Sequence, residues 1–110
     1  MKRFSIILVV LEGCSICKRI KELLDYNNII YKSVSCEEDC NVCDELEDIS
    51  NNNNYAKIIV KDKENNINNI IYQTYDSMEL GIIRKINNVY LYPTYGDANI
   101  INCINQIINK

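Results

Sequence analysis

Cys14 and Cys17 stand two residues apart, directly after an apolar run (Phe4 to Leu11) and Gly13, and directly before a helical pattern that begins at Ser15. A thiol at a helix N-terminus faces unpaired backbone amides and the positive end of the helix dipole, which favour thiolate over thiol. Lys18 and Arg19 add positive charge close by. Since only the thiolate attacks a disulfide, this placement suits Cys14 to be a nucleophile. Cys14 precedes the helix and is expected to be exposed, whereas Cys17, beside Ile16 and Ile20 on the inner stripe, is expected to be shielded. The chemistry implied is attack by Cys14 on a disulfide and resolution of the mixed disulfide by Cys17. A pair of inert buried cysteines and half of a zinc site are the competing readings; the strand-to-helix position favours redox chemistry.

A second group, Cys36, Cys40 and Cys43, falls on one helix face at i, i+4 and i+7. Three readings stand open for it: small buried apolar residues, a second disulfide with Cys40 and Cys43 as the pair, or a metal or iron–sulfur site completed by Cys14, Cys17 or a partner chain. The spacing coincides with a radical-enzyme cluster motif, but a chain of 110 residues is far too short for the barrel such enzymes need. The acidic residues between Glu37 and Asp48 disfavour thiolates there, so these cysteines are not expected to be the primary nucleophile. Cys103 lies beside an apolar stripe and is expected in the core. The chain has no histidine, which removes zinc-hydrolase and Cys-His protease readings.

The elements that position these residues follow from periodicity. Phe4 to Leu11 reads as a buried central strand. Ile16, Ile20, Leu23 and Leu24 form the apolar stripe of a helix that Asn27 and Asn28 end. Ile29 to Ser35 reads as a second strand, parallel to the first, completing a βαβ unit. A second helix is expected from Glu37 to about Ser50. Lys57 to Lys61 and Ile70 to Tyr75 read as a hairpin around Asp62 to Asn69. Ser77 to Ile86 is expected as a short helix and Val89 to Tyr92 as a short strand. Asp97 is expected to cap a last helix with Ile100, Ile101, Ile104, Ile107 and Ile108 inward. The predicted architecture is one α/β domain over residues 1–110, in the order βαβα-ββ-α, with a short extra segment before the last helix.

Composition bounds the function. Hydrophobic residues make up 47% and charged residues 25%, as in a soluble globular chain. A net charge of −3 gives no electrostatic support for nucleic-acid binding. The apolar run after Lys2 and Arg3 is too short for a membrane span and no small-residue cleavage site follows it, so a cytoplasmic protein without a membrane partner is expected. In that setting six cysteines point to redox or metal chemistry rather than a disulfide framework.

Gly13-Cys14-Ser15-Ile16-Cys17-Lys18, followed by a helix and a second strand, resembles the active-site stretch of the thioredoxin superfamily, most closely its glutaredoxin branch. The Cys-Ser-Ile-Cys sequence is also similar to that of glutaredoxins from large DNA viruses, and the Asn- and Ile-rich composition fits such an AT-rich source. The resemblance implies a thioredoxin-like fold, a central mixed β-sheet flanked by helices, and a thiol–disulfide oxidoreductase acting on protein or glutathione mixed disulfides. It implies no tightly bound cofactor, glutathione as reductant, and a monomer or weak dimer. It also implies substrate-binding roles for Lys18, Tyr55 and Asp97, the last from Gly96-Asp97, a shortened form of the family turn that grips the γ-glutamyl end.

The family places a cis-proline beside the dithiol at the start of the third strand. Here that position falls at Tyr55-Ala56, where alanine replaces proline; Pro93, the one proline, would have to fold back through an inserted segment. A cis bond before alanine costs about 2.5–4 kcal/mol, so a trans peptide and a reshaped loop are expected. Two further functions compete. One is a non-enzymatic zinc or iron–sulfur protein, since two family subunits can share a cluster through the N-terminal cysteine and glutathione. The other is a binding module docking through the acidic helix.

Overall fold

The computed structural model describes residues 3–10, 13–35 and 56–109. The expected second helix, and with it Cys36, Cys40, Cys43 and Tyr55, lies outside the described residues. The elements are β1 (Phe4–Val10), α1 (Ser15–Tyr26), β2 (Lys32–Ser35), β3 (Lys57–Asp62), β4 (Ile67–Gln73), β5 (Arg84–Ile86), β6 (Val89–Thr94) and α2 (Asp97–Ile108). They form one mixed sheet in the order β2-β1-β3-β4-β6-β5.

β1 is apolar but for Ser5 because it lies inside the sheet, parallel to β2 on one side and antiparallel to β3 on the other. α1 returns the chain from β1 to β2, laying Cys17, Ile20 and Leu24 on the sheet. Ile16 departs from the expected stripe: it is 44% exposed, because α1 begins at Ser15 and its second residue faces outward over the end of the sheet. The helix ends in a Schellman motif. Asn28 takes φ 58°, and the Ile29 and Asn28 amides donate to the Leu24 and Asp25 carbonyls at 3.0 and 3.1 Å. The second strand is shorter than expected, since Ile29 to Tyr31 complete this turn and leave Ile30 exposed.

β3 and β4 form the predicted hairpin. The Asp62 carboxylate organises its turn, accepting from the Glu64 and Asn65 amides at 3.1 and 3.2 Å while also accepting from Arg3 at 3.0–3.1 Å.

The region between β4 and α2 is not the helix expected over Ser77 to Ile86. Residues 77–81 make turns around Asp76, Gly81 takes φ 81° and donates its amide to Pro93 at 3.1 Å, and the chain then becomes β5. β5 and β6 are joined by the two-residue loop Asn87-Asn88, with Asn87 at φ 55°. β6 runs parallel to β4. The extra segment thus adds two strands to the β2-β1-β3-β4 core. Both edges of the widened sheet are short and polar or charged, which discourages edge pairing.

Apolar residues are buried on both faces. Leu8, Ile58, Val60 and Ile71 pack with α1 and with Ile100, Ile104 and Ile107 of α2. Val9, Ile59, Ile70, Tyr72, Val89 and Leu91 form the second cluster. The fold is α/β and thioredoxin-like, with a mixed sheet and two described helices. Among the described residues no helix is long and apolar enough to cross a membrane.

Candidate functional site

Strand register places the C-terminal ends of β1, β4 and β6, the start of β3 and the start of α2 at one end of the sheet. Gly13, at φ 76°, turns the chain out of β1 into α1. Cys14 then occupies the N-cap with φ −83° and ψ 111°, and its Sγ accepts the Cys17 backbone N–H at 3.2 Å. An amide aimed at that sulfur, at a helix end whose dipole is positive, stabilises negative charge on it. Cys14 is half-buried rather than fully exposed, while Cys17 is 3% exposed within the core cluster. A disulfide approaching from solvent therefore meets Cys14, with Cys17 behind it.

Ala56 opens β3 beside this pair, 5% exposed and packed in the same cluster as Cys17. It takes φ 65°, a left-handed conformation that costs an L-residue about 1–2 kcal/mol and that proline, fixed near −65°, cannot adopt. The peptide before Ala56 lies outside the described residues with Tyr55. Pro93 does not substitute for the missing proline. It pairs with Tyr72 in β6, two strands away from β3.

Asp97 is not the N-cap of α2. Gly96 is, at φ 96°, with no side-chain cap bond; Asp97 is the first helical residue and its carboxylate accepts instead from the Arg19 guanidinium. That hydrogen bond chiefly, with the charge attraction behind it, holds Arg19 above its usual pKa range. The Arg19–Asp97 pair ties α1 to α2 one turn beyond the dithiol. Lys18 points to solvent.

Two residues at this end carry no functional expectation from the sequence, although the sequence reads Tyr75 as the end of a strand, which in the structure stops at Gln73. Tyr75 and Tyr95 pack together with ring centroids 5.2 Å apart and remain 76% and 50% exposed. The signal for them was the repeated Tyr-x-Thr-Tyr of 72–75 and 92–95, which marks two parallel strands ending alike. Cys103 is half-buried, packed at the margin of the core rather than within it. Among the described residues no three His, Cys, Asp or Glu side chains converge as metal ligands would. Cys14 and Cys17 alone supply two thiols, half of a tetrahedral set.

A sheet with a Cys-x-x-Cys at the junction of its central strand with a helix defines a thioredoxin-like protein. The glutaredoxin family model matches residues 6–64, more than half of the chain and spanning β1 to the turn after β3, and the chain belongs to the glutaredoxin family. Neither the curated proteins nor the solved structures yield a match.

Proposed function

We propose that the protein is a thiol–disulfide oxidoreductase with Cys14 as nucleophile and Cys17 as resolving thiol. The observation that carries this reading is the 3.2 Å approach of the Cys17 amide to Cys14 Sγ at the start of α1, with one sulfur accessible and the other enclosed. The Cys14 thiolate attacks one sulfur of a substrate disulfide. A Cys14–substrate disulfide forms, the substrate S–S bond breaks, and the other substrate sulfur leaves as a thiolate and takes up a proton. Cys17, having lost its proton, then attacks Cys14 Sγ and expels the second substrate thiol. Two electrons pass to the substrate and a Cys14–Cys17 disulfide remains, to be reduced by two equivalents of a thiol such as glutathione.

Protein disulfides and glutathione mixed disulfides are the proposed substrate classes. Lys18 and Asp97 are proposed to border the substrate, with Tyr55 beside Ala56.

Replacement of each cysteine tests the mechanism. Cys14→Ser is expected to abolish disulfide reduction. Cys17→Ser is expected to accumulate a mixed disulfide at Cys14, visible as a mass adduct that dithiothreitol removes, and Cys17→Ala is the companion variant because a serine hydroxyl would be buried at position 17. Reduction at undiminished rate by Cys14→Ser would overturn the assignment.

A further inference from the structure

The inserted strands create a cavity that the family's core sheet would not have. It lies between β6, the 80–83 turn and α2, is a cleft of about 370 Å³ open to solvent, and is lined by Leu80, Ile83, Thr94, Asn99, Asn102 and Gln106 among others. None of the described residues lining it is charged. That size falls in the range of ligand-binding clefts.

Its outer wall is pinned in place. Gly81 N–H donates to the Pro93 carbonyl at 3.1 Å. Next to it, Glu79 accepts from the Tyr72 hydroxyl, from Thr74 Oγ1 at 3.3 Å and from Arg84 at 3.3 Å. Tyr72 is 1% exposed, so the turn is held against the buried sheet rather than lying loosely on it. The cavity is preformed, and filling it requires little reordering.

Its place in the sheet links it to the dithiol. β6 is three strands from β1, about 14 Å at 4.7–4.9 Å per strand, a span that an extended polypeptide covers in about four residues. Exposed apolar groups mark that path, with Ile16 44% exposed beside Cys14, the Tyr75–Tyr95 pair, and Leu80 and Ile83 on the cavity rim at 45% and 57%; the one charged feature beside it among the described residues is the mutually neutralised Arg19–Asp97 pair. Glutathione does not suit this path. A tripeptide spans roughly 10 Å and carries a carboxylate at each end, whereas the cavity offers amides, hydroxyls, the Cys103 thiol and apolar groups but no cationic side chain among the described residues.

We infer that the cavity is an anchor site for protein substrates. A polypeptide segment with its disulfide sulfur at Cys14 runs extended across Tyr95 and Tyr75. It lodges an uncharged aliphatic or aromatic side chain, about four residues away, between β6 and α2. The Asn102 and Gln106 amides line the same cavity and are assigned to its backbone, while Asn99 Nδ2 donates to the Tyr95 carbonyl. This assignment deepens the dithiol reading and rests on it.

The test uses the whole chain and two probes: bis(2-hydroxyethyl) disulfide, and decapeptides with one cysteine blocked as its mixed disulfide with mercaptoethanol. The decapeptides carry a leucine two, four or six residues to either side of that cysteine. Leucine at four is expected to give the highest kcat/KM in one direction. Asn102→Trp, filling the cavity from an exposed helix position, and Ile83→Glu, placing a carboxylate on its rim, are expected to raise KM for that peptide about tenfold or more, with the small disulfide unchanged. Calorimetric binding of the same peptide with serine for cysteine should weaken to the same extent in both variants, which reads the anchor without the chemistry. Indifference to leucine position, or equal effects on both probes, would overturn the anchor while leaving the dithiol reading intact. Failure of the wild-type chain to reduce either probe would overturn the dithiol reading instead; peptide binding that both variants left unweakened would then remove the anchor as well.

Discussion

At the scale of single residues, the hydrogen bond that Cys14 Sγ accepts comes from the backbone, the Cys17 N–H, rather than from another side chain. Serine is a good N-cap and can accept the same Cys17 N–H, so Cys14→Ser is expected to keep the stability of the fold within about 0.5 kcal/mol in urea titrations while losing its reactivity. That separation of chemistry from folding is what an N-cap nucleophile predicts. The Arg19–Asp97 pair makes a second residue-scale prediction. With its guanidinium engaged by Asp97, Arg19 presents little net charge to a substrate at Cys14. Asp97→Asn is expected to increase kcat/KM for glutathione disulfide, an anion, by about threefold at low salt, the gain disappearing near ~0.5 M salt. A raised KM would show that Asp97 instead receives the γ-glutamyl ammonium. The sequence places the Arg19 charge near the dithiol but does not show its pairing, because Arg19 lies on the polar face of α1, where cations are ordinary, and its partner is 78 residues away.

At the scale of elements, the entry to β3 is the departure with the clearest consequence. Ala56 holds φ 65° at the position that the sequence resemblance assigns to the family's proline. Restoring that proline is expected to destabilise the chain by more than about 1 kcal/mol, because the pyrrolidine ring excludes positive φ; the urea midpoint measures it. Ala56→Gly relieves the conformation but loses a buried methyl and adds chain entropy to the unfolded state, so its net effect is expected within about 1 kcal/mol of zero. β5 and β6 teach the opposite lesson. Ile86-Asn87-Asn88-Val89, two asparagines between apolar residues, was a readable hairpin signal. The isoleucines at 82, 83 and 86 obscured it by imitating a helical stripe, although all three are exposed.

Across the whole molecule, the end of the sheet away from the dithiol is locked by charge. Asp62 is 7% exposed and meets Arg3; chiefly through that hydrogen bond, and through those from Asn65, its carboxyl stays well below the usual carboxylate range. A carboxyl with a lowered pKa in the folded state contributes stability that is present above its unfolded value near ~3.9 and is lost as pH falls below it. Wild type is therefore expected to lose more stability between about pH 5 and 3 than Asp62→Asn, measured by urea midpoints at each pH; parallel pH profiles would contradict the account. The sequence by itself determined the βαβ start, the β3–β4 hairpin, the closing helix and the dithiol at a strand-to-helix junction, because local periodicity, turn residues and caps act over a few neighbours. Only the tertiary structure decided that β6 lies parallel to β4, that Pro93 stays away from Cys14, that Asp97 turns to Arg19, and that a cavity opens beside α2. Those outcomes depend on pairing between strands and helices distant in the chain, where the free energy resides in contacts that no local pattern encodes.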